Sequence, residues 1–280
     1  MCLALIAFQV LDDWPLIIVA NRDEYHARPT LTAQPWPEKP QVLAGKDLEA
    51  GGSWFGVTQT GHVALLTNYR EPSVAKQTTT SRGQLVSNYL MHPQKPLAYL
   101  QSLKEQAHLY SGFNLIVGDR LGLFVASNRS DQMGDRAQDA FAKHISKGVW
   151  GLSNAFWNTP WPKLTLTRDS IKQYLLNVQQ HGKEPHASEL IQIMQNIVPV
   201  PDNLLPQTGL SLERERQLAT PFIIGQDYGT RSTTVLMQHK DGRITFNERS
   251  YSPGALTPNQ AVSWEFNSQQ TQLGWQSKSI

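Results

Sequence analysis

Short apolar runs separated by polar turn residues open the chain, a pattern typical of β-strands joined by hairpins. The runs at residues 3–10 and 16–20 predict two adjacent buried strands with a turn at 12–15 between them. The tetrapeptide Asn21-Arg22-Asp23-Glu24 follows the second run directly, where a hairpin brings it back beside residues 2–4. The tetrapeptide is therefore either part of a site next to residue 2 or a solvated turn.

The same alternation predicts further strand pairs along the chain. Residues 51–58 and 62–67 predict a hairpin that ends at the polar residues 68–70. Before this hairpin, four prolines within residues 29–40 predict an irregular excursion without a regular element. The remaining predicted strands are 113–117, 121–126, 150–155, 235–238 and 243–248, of which the last two are joined by an Asp-Gly turn.

Apolar residues at helical spacing predict two pairs of helices. Ser81, with Gln84 three residues later, resembles a capping box at the start of the first helix, and Pro96 predicts the start of the second. The third and fourth helices follow the segment 157–162. The residues expected to face inward are Leu85, Val86, Tyr89 and Leu90, then Leu97, Leu100, Leu103 and Ala107, then Ile171, Leu175 and Val178, and finally Leu190, Ile191, Met194 and Ile197.

The order of these elements is strands, two helices, strands, two helices and strands, with no linker long enough to require a domain boundary. Many hairpins with helices in separate blocks favour a layered α+β protein, in which helices cover antiparallel sheets, over a fold built from βαβ units. We expect residues 1–280 to form a single domain. The polar C-terminal tail, from about residue 266, is expected to be peripheral or poorly ordered.

Composition limits the classes of partner and compartment. A formal charge of +2 with scattered basic residues gives no argument for binding nucleic acid or an anionic membrane. The apolar run at the start of the chain is too short for a membrane span and lacks a basic flank, so we expect no membrane span and a cytoplasmic protein. The single cysteine excludes a disulfide framework and a cysteine-cluster zinc site, and we expect no metal site. No phosphate-binding loop motif is present, which argues against nucleotide chemistry.

Cys2 is the only cysteine of the chain and precedes the first predicted strand. If Met1 is removed, the α-amino group and the thiol belong to the same residue, and an α-amine with a pKa of about 8 can accept the thiol proton near neutral pH. Such a residue is an N-terminal nucleophile with its own base. The alternative is that Cys2 is only a small buried hydrophobic residue.

Polar residues that stand at the starts or ends of apolar strands form a candidate site. An acyl-transfer site needs a nucleophile, a base, donors for the developing oxyanion and charged residues that orient them, and this set supplies each type. Alternatively, the asparagines are turn or cap residues and the second arginine forms a surface ion pair. The candidates are Cys2, Arg22, Asp23, Asn68, Asn154 and Arg231.

Ordered sequence blocks across residues 2 to about 249 resemble the NRDE family, also called the transport-and-Golgi-organisation family, which takes its first name from residues 21–24. The resemblance implies the fold of the N-terminal nucleophile hydrolases, a four-layer αββα sandwich. The matching blocks are Cys2 with its strand, Asn21-Arg22-Asp23-Glu24, Gly51-Gly52-Ser53-Trp54, Thr67-Asn68-Tyr69-Arg70, Ser81-Arg82-Gly83, Gly151-Leu152-Ser153-Asn154 and Thr230-Arg231-Ser232-Thr233.

A more distant resemblance to cysteine-type bile-salt hydrolases and penicillin acylases implies roles for the candidate residues. It implies attack by Cys2 on a non-peptide amide, with side-chain donors at Asn154 and Asn68 for the oxyanion. Asp23 would orient the α-amine, and Arg22 and Arg231 would favour the thiolate or bind anionic substrate groups. The arginine and aspartate are adjacent here, whereas the related enzymes space them three apart. This departure bears on the individual roles of the two residues rather than on their presence at the site.

A function of another class is a non-catalytic carrier on the same fold. The family resemblance implies haem trafficking, with haem as cargo, or binding of a lipid or acyl-CoA. Hydrolysis through Cys2 requires no cofactor. The expected ligand is a small-molecule amide in the first hypothesis and haem or a lipid-like molecule in the second. No histidine is singled out by position as an axial ligand, and the sequence leaves the oligomeric state open. Trp150, Trp157 and Trp161 either line an apolar pocket beside Asn154 or belong to the core.

Overall fold

The computed structural model describes residues 2–71, 80–129, 141–267 and 274–279. The strands in these ranges are β1 (Cys2–Phe8), β2 (Leu16–Tyr25), β3 (Thr30–Trp36), β4 (Lys39–Asp47), β5 (Phe55–Thr58), β6 (Val63–Asn68), β7 (Phe113–Gly118), β8 (Leu123–Ser127), β9 (Ala142–His144), β10 (Gly148–Leu152), β11 (Tyr228–Gln238), β12 (Arg243–Tyr251), β13 (Pro258–Asn267) and β14 (Gln276–Ser277). The α-helices are α1 (Gly83–Met91), α2 (Pro96–Gln106), α3 (Pro162–Gln180), α4 (Ala187–Met194) and α5 (Leu212–Leu218).

Two antiparallel sheets lie face to face between two helical layers. The first sheet has the strand order β10-β1-β2-β11-β12-β13-β14, and the second has the order β3-β4-β5-β6-β7-β8-β9. One apolar core fills the space between the sheets, a second lies between the second sheet and helices α1 and α2, and a third lies between the first sheet and helices α3 and α4. The predicted α+β class and four-layer αββα arrangement are therefore confirmed.

The unbroken apolar run of β1 follows from its central place in the first sheet. Alternate side chains point to opposite faces of a strand, and both faces of this strand are covered. Ala4, Ile6 and Phe8 enter the core between the sheets, whereas Leu3 and Leu5 enter the core beneath α3 and α4. A strand buried on both faces fixes residue 2 at a defined sheet end.

Strand β2 continues through the polar tetrapeptide instead of ending before it. Residues Cys2 and Arg22 are paired, as are Leu3 and Asn21, which confirms that the tetrapeptide lies beside residues 2–4. The Asn21 side chain is fully buried and donates to the carbonyl oxygens of Met194 (3.0 Å) and Pro221 (2.9 Å). The interpretation as a solvated turn is therefore wrong, because these polar groups find partners inside the protein.

Residues 30–36 and 39–40 belong to strands β3 and β4, so the predicted irregular excursion is wrong. Strand β3 is the outer strand of its sheet, and its register with β4 shifts between Leu31 and Gln34 and again between Pro35 and Trp36. Proline is tolerated on an edge strand because one side of that strand donates no ladder hydrogen bonds. Of the four prolines, Pro35 lies in this edge strand, Pro37 in the turn that follows it, Pro40 in β4 and Pro29 just before β3.

The helix predictions are confirmed for most inward positions and wrong at two. Leu97 is 44% exposed because Tyr99 takes its place on the buried face of α2, and Ile197 is 44% exposed because α4 ends at Met194. The predicted capping box is also wrong. Helix α1 begins one residue later than expected, and Ser81 Oγ accepts a hydrogen bond from the Gly83 N–H (3.3 Å).

The described part of the C-terminal tail adds an edge to the first sheet. Strand β14 pairs with β13, and Trp275 packs against the core between the sheets. Residues 268–273 and 280 lie outside the described residues. No helix in the described ranges is both long and apolar enough to span a bilayer.

Candidate active site

Cys2 is the first residue of β1 and lies between β2 and the end of β10. Its backbone carbonyl accepts a hydrogen bond from Ser153 Oγ (3.2 Å), and its partner across the ladder with β2 is Arg22. The side chain is half-buried and lines a cavity of about 390 Å³. Burial raises the pKa of the Cys2 thiol and Asp23 adds to this rise, whereas Arg22 opposes it.

Charged side chains dominate the wall of this cavity. Arg22, Arg28 and Arg82 face it together with three carboxylates, those of Asp23, Glu24 and Asp47. Such a wall favours a polar ligand, because an apolar ligand would leave these groups without water or a partner. The other lining residues are Ala50, Ser53, Trp54, Leu66, Asn68, Thr80, Ser81, Gly83 and Ser111.

The guanidinium group of Arg22 is held beside the thiol by packing more than by hydrogen bonds. It stacks on the Trp54 ring at 4.3 Å and lies 4.0 Å from Asp47 Oδ2. Burial works against the charged form of Asp47, but hydrogen bonds from Arg28 Nε (2.7 Å) and from backbone N–H groups lower the pKa of this carboxyl. The Asp47 carboxylate and the Trp54 ring thus hold the buried Arg22 guanidinium group at the cavity.

Asp23 is 1% exposed and is one of the residues that line the cavity. Its Oδ1 accepts a hydrogen bond from Thr230 Oγ1 (2.7 Å), and its carbonyl accepts one from the Tyr228 hydroxyl (3.2 Å). Burial raises the pKa of the Asp23 carboxyl, and Lys163 opposes this rise. The pKa of this carboxyl group therefore lies above its ordinary value, because burial outweighs the opposing groups.

Lys163 is a buried group at the site that the sequence interpretation missed. It lies in the first turn of α3, is 2% exposed, and burial lowers its pKa to about 8 although Asp23 favours its charge. The sequence does carry a signal. Counting back in steps of four from the inward Ile171 leads to Thr167 and then to Lys163, so this lysine occupies a core position of the helix.

The two predicted asparagines act as a pair that joins the sheets. Asn68 ends β6 and lines the cavity, whereas Asn154 follows β10 and is fully buried. Asn154 Nδ2 donates to the Asn68 carbonyl (2.8 Å), and the Arg70 N–H donates to the Asn154 carbonyl (2.7 Å). Asn154 therefore holds the chain segment that presents Asn68.

Arg231 is not among the residues that line the Cys2 cavity. It is the extra residue of a β-bulge in β11, where the register with β2 shifts between Thr230 and Ser232. Its guanidinium donates to the carbonyl oxygens of Tyr25 (2.8 Å) and Arg28 (3.0 Å). It lines a neighbouring cavity of about 130 Å³ that shares Arg22 and Trp54 with the first, so the structure gives it the role of anchoring the β2–β3 turn.

Two sequence blocks of the family resemblance meet where the cavity wall forms. A Cβ atom on Gly52 would lie 2.4 Å from the Gly83 backbone, so only glycine permits this crossing of the segment before β5 and the start of α1. The crossing presents Trp54 and Arg82 to the cavity, and Arg82 Nη1 is fixed by the Gly112 carbonyl (3.0 Å). Both residues line the cavity, although neither is among the site residues predicted from the sequence.

The three clustered tryptophans lie elsewhere. Trp150 and Trp157 pack against the core between the sheets, and Trp161 stacks on Arg70 at 4.6 Å. None of them is among the residues that line the Cys2 cavity, so the core interpretation describes the first two. Among the described residues, no group of three or more histidine, cysteine or acidic side chains could hold a metal ion.

Comparisons with known proteins find similar sequences over most of the chain. The model of the family "Transport and Golgi organisation 2" matches residues 1–253. The Transport and Golgi organization protein 2 homologs of Bos taurus and Homo sapiens are 33% and 31% identical, over 267 and 264 residues, and each alignment covers 91% of this chain and 93% of the relative. A solved structure, the Caenorhabditis elegans N-acylethanolamine-hydrolyzing acid amidase ortholog, aligns with 84% of this chain and 92% of its own at 13% identity and a TM-score of 0.49.

Proposed function

The chain belongs to the Transport and Golgi organisation 2 family, and from this premise we propose that it is a hydrolase that cleaves a non-peptide amide with Cys2 as N-terminal nucleophile. One observation carries the proposal. The only thiol of the protein lies at a sheet end and lines a cavity that Arg22, Asp23 and Asn68 also line. These residues supply a nucleophile, a cation, a carboxylate and an amide donor within one concave surface.

In the proposed reaction, the thiol of Cys2 gives its proton to the α-amine, and the thiolate attacks the carbonyl carbon of the amide. The oxyanion that forms accepts a hydrogen bond from the Asn68 side chain. The C–N bond then breaks, the leaving amine takes the proton from the α-ammonium group, and a thioester remains on Cys2. Water attacks this thioester with the α-amine as base, and the carboxylic acid leaves as the thiol is restored.

The surroundings of the thiol support this division of roles. Burial raises the thiol pKa, so the resting group is mostly protonated and needs a base. Arg22 opposes that rise and stabilises the thiolate at the moment of attack. Asp23 orients the α-amine, and Asn154 acts by holding Asn68, since its own amide is bonded to the Asn68 carbonyl.

The cavity also bears on the class of substrate. Its volume of about 390 Å³ lies toward the lower end of the roughly 300–1,000 Å³ range of small-molecule pockets. Arg22 and Arg82 both line the cavity, and guanidinium groups bind carboxylates and phosphates through paired hydrogen bonds. The two arginines therefore favour a substrate that carries an anionic group. We therefore infer a small amide with a carboxylate or phosphate substituent.

The carrier hypothesis has less support at this cavity. No histidine is among its lining residues, so Cys2 is the side chain there that could ligate haem iron. The charged wall is also a poor surface for a lipid chain. Haem cargo, a lipid ligand and a cytoplasmic location remain predictions, and a haem titration tests the first. A saturable shift of the Soret band that Cys2→Ala abolishes would favour the carrier over the hydrolase.

The decisive experiment compares two forms of the same chain, one with Met1 removed and one with Met1 retained by inhibition of methionine aminopeptidase. Intact mass identifies the two forms, and both are screened against small anionic amides. We expect turnover only in the form with a free Cys2 α-amine, and loss of turnover in Cys2→Ala. Equal turnover by both forms, or by the Cys2→Ala variant, would contradict the mechanism.

A further inference from the structure

A row of side chains on the inner face of the first sheet leads from Cys2 across the neighbouring strands. Cys2 pairs with Arg22, Arg22 with Ser232, and Ser232 with Ser250. Side chains directly opposite each other on adjacent antiparallel strands lie on the same face of the sheet. This face packs against the second sheet, because Ala20, two residues before Arg22 on the same strand, enters the core between the sheets. The thiol is therefore the first member of a row that crosses β1, β2, β11 and β12.

The cavity of about 130 Å³ beside the Cys2 cavity lies over the far part of this row, and we call it the side cavity. Arg22, Ser232 and Ser250 all line it. Arg22 and Trp54 also line the Cys2 cavity, so the two cavities adjoin at these side chains. Adjacent strands are about 4.8 Å apart, which places Ser232 roughly 10 Å from Cys2 across the sheet. A ligand that extends past Arg22 therefore occupies both cavities.

The Ser232 hydroxyl is a polar group of the side cavity that the protein leaves without a bond. Ser232 is 4% exposed, and its Oγ atom forms no hydrogen bond with any described residue. Its strand position turns it to the inner face, because Leu236, four residues later on the same strand, enters the core between the sheets. A buried hydroxyl without a partner is unfavourable, and a ligand that accepts its hydrogen bond would remove this cost.

Two arginines give the side cavity its charge. Among its described lining residues, Arg22 and Arg231 are cationic, and the one carboxyl group is that of Glu248. Glu248 is bonded within the protein, since its Oε1 accepts from the Ala33 N–H (2.8 Å) and its Oε2 accepts from Thr234 Oγ1 (3.1 Å). Burial also raises the pKa of this carboxyl and so disfavours its negative charge. The wall of the side cavity therefore favours an anion over a cation.

We propose that the side cavity is a subsite for the anionic group of the ligand, a carboxylate or phosphate held between Arg22 and Ser232 about 10 Å from the thiol. Placement of the ligand's carbonyl carbon at Cys2 rests on the proposed function. The side cavity has room for about four groups of the size of water, at roughly 30 Å³ each, which suits a single carboxylate or phosphate. The inferred substrate is thus an amide whose anionic group is several bonds away from the bond that breaks.

Thiol-reactive probes of graded length test this subsite without hydrolysis. The N-bromoacetyl derivatives of glycine, 4-aminobutyrate and 6-aminohexanoate alkylate a thiol with loss of bromide. At roughly 1.3 Å per bond, they place their carboxylate about 5, 8 and 10 Å from the reacting carbon. Matched neutral probes carry a methylamide in place of the carboxylate. Because Cys2 is the only cysteine of the chain, intact mass measures its alkylation rate.

The readout is the alkylation rate with each carboxylate probe divided by the rate with its neutral match. We expect this ratio to be about tenfold higher for the 6-aminohexanoate probe than for the glycine probe, because only the longer probe reaches hydrogen-bond donors in the side cavity. Ser232→Val removes the hydroxyl and fills part of the side cavity, so it should abolish the preference for length. Ser263→Val is the matched control, since Ser263 lies in β13 of the same sheet and lines neither cavity.

A ratio that is highest for the glycine probe would overturn the proposal, because the anion would then lie against Arg22 and Arg82 in the Cys2 cavity. A ratio that does not depend on length, or a preference that Ser232→Val retains, would overturn it as well. If Ser232→Val does not fold, Ser250→Val gives the same test from the next strand of the row. Alkylation needs neither the α-amine nor turnover, so a preference for the long probe without hydrolysis of any amide would count against the proposed function alone.

Discussion

Replacement of Lys163 by methionine is expected to change how protein stability depends on pH. The lysine pKa falls from 10.5 to about 8 on folding because burial disfavours the charged form. At roughly 1.36 kcal/mol per pKa unit, the folded state loses about 3 kcal/mol at neutral pH by holding this ammonium group. The penalty is fully present below the folded-state pKa and disappears as pH rises through the unfolded-state pKa.

The free energy of unfolding of the wild type, minus that of Lys163→Met, should therefore rise with pH. Between about pH 7 and pH 10 we expect a rise of about 2.5 kcal/mol, because the unfolded state binds the lysine proton over this range and the folded state releases it.

Urea unfolding at a series of pH values measures this difference. Titrating groups that both proteins share contribute equally to the two free energies of unfolding, so their contributions cancel in the difference. Lys172→Met is the control, because an exposed lysine on the same helix should give a difference that does not change with pH. A flat difference for Lys163→Met would refute the reasoning, since it would mean that the lysine amine has similar surroundings in the folded and unfolded states.

Three further predictions concern the elements that hold the site. Glu215→Gln should lower the free energy of unfolding by roughly 3–5 kcal/mol, because a buried arginine loses its charged partner; urea unfolding measures this, and the exposed Glu213→Gln should have little effect. Gly52→Ala should cost about 1–3 kcal/mol, because the added methyl group meets the backbone at the start of α1. The open Gly274→Ala serves as its control, and equal thermal midpoints would contradict the prediction. Arg22→Gln should slow alkylation of the single thiol by iodoacetamide near pH 7, because it removes a cation that lowers the thiol pKa; an unchanged rate would contradict this role.

The layered fold and the place of Cys2 beside Arg22 were predictable because they depend on local patterns. The apolar runs of β1 and β2 and the turn between them fix the pairing of Cys2 with Arg22. The four layers follow from hairpins and helices in separate blocks. The prolines of residues 29–40 were misleading, because proline is also compatible with an edge strand such as β3 and with the turn that follows it.

The rest of the site depends on contacts between distant segments. Lys163 comes within electrostatic range of Asp23 because α3 packs on the first sheet, and the helical pattern predicted inward positions only from Ile171 onward. Arg231 has the residue type of a substrate-binding cation, but a bulge turns it toward backbone carbonyls. The Asn154 side chain likewise donates its hydrogen bond to the backbone of the segment that carries Asn68. Residue type and position at a strand end thus predicted which part of the sheet these residues occupy, whereas tertiary packing determines what each side chain contacts.

The bond from the Arg70 N–H to the Asn154 carbonyl crosses between the two sheets and does not belong to either ladder. Amides inside a ladder exchange with solvent when their own strand opens, but this amide can exchange only when the sheets part at the end that carries Cys2. Its hydrogen-exchange rate therefore reports the separation of the two layers. A ligand that binds the cavity from both sheets should slow this single amide while the outer strands continue to exchange at their former rates.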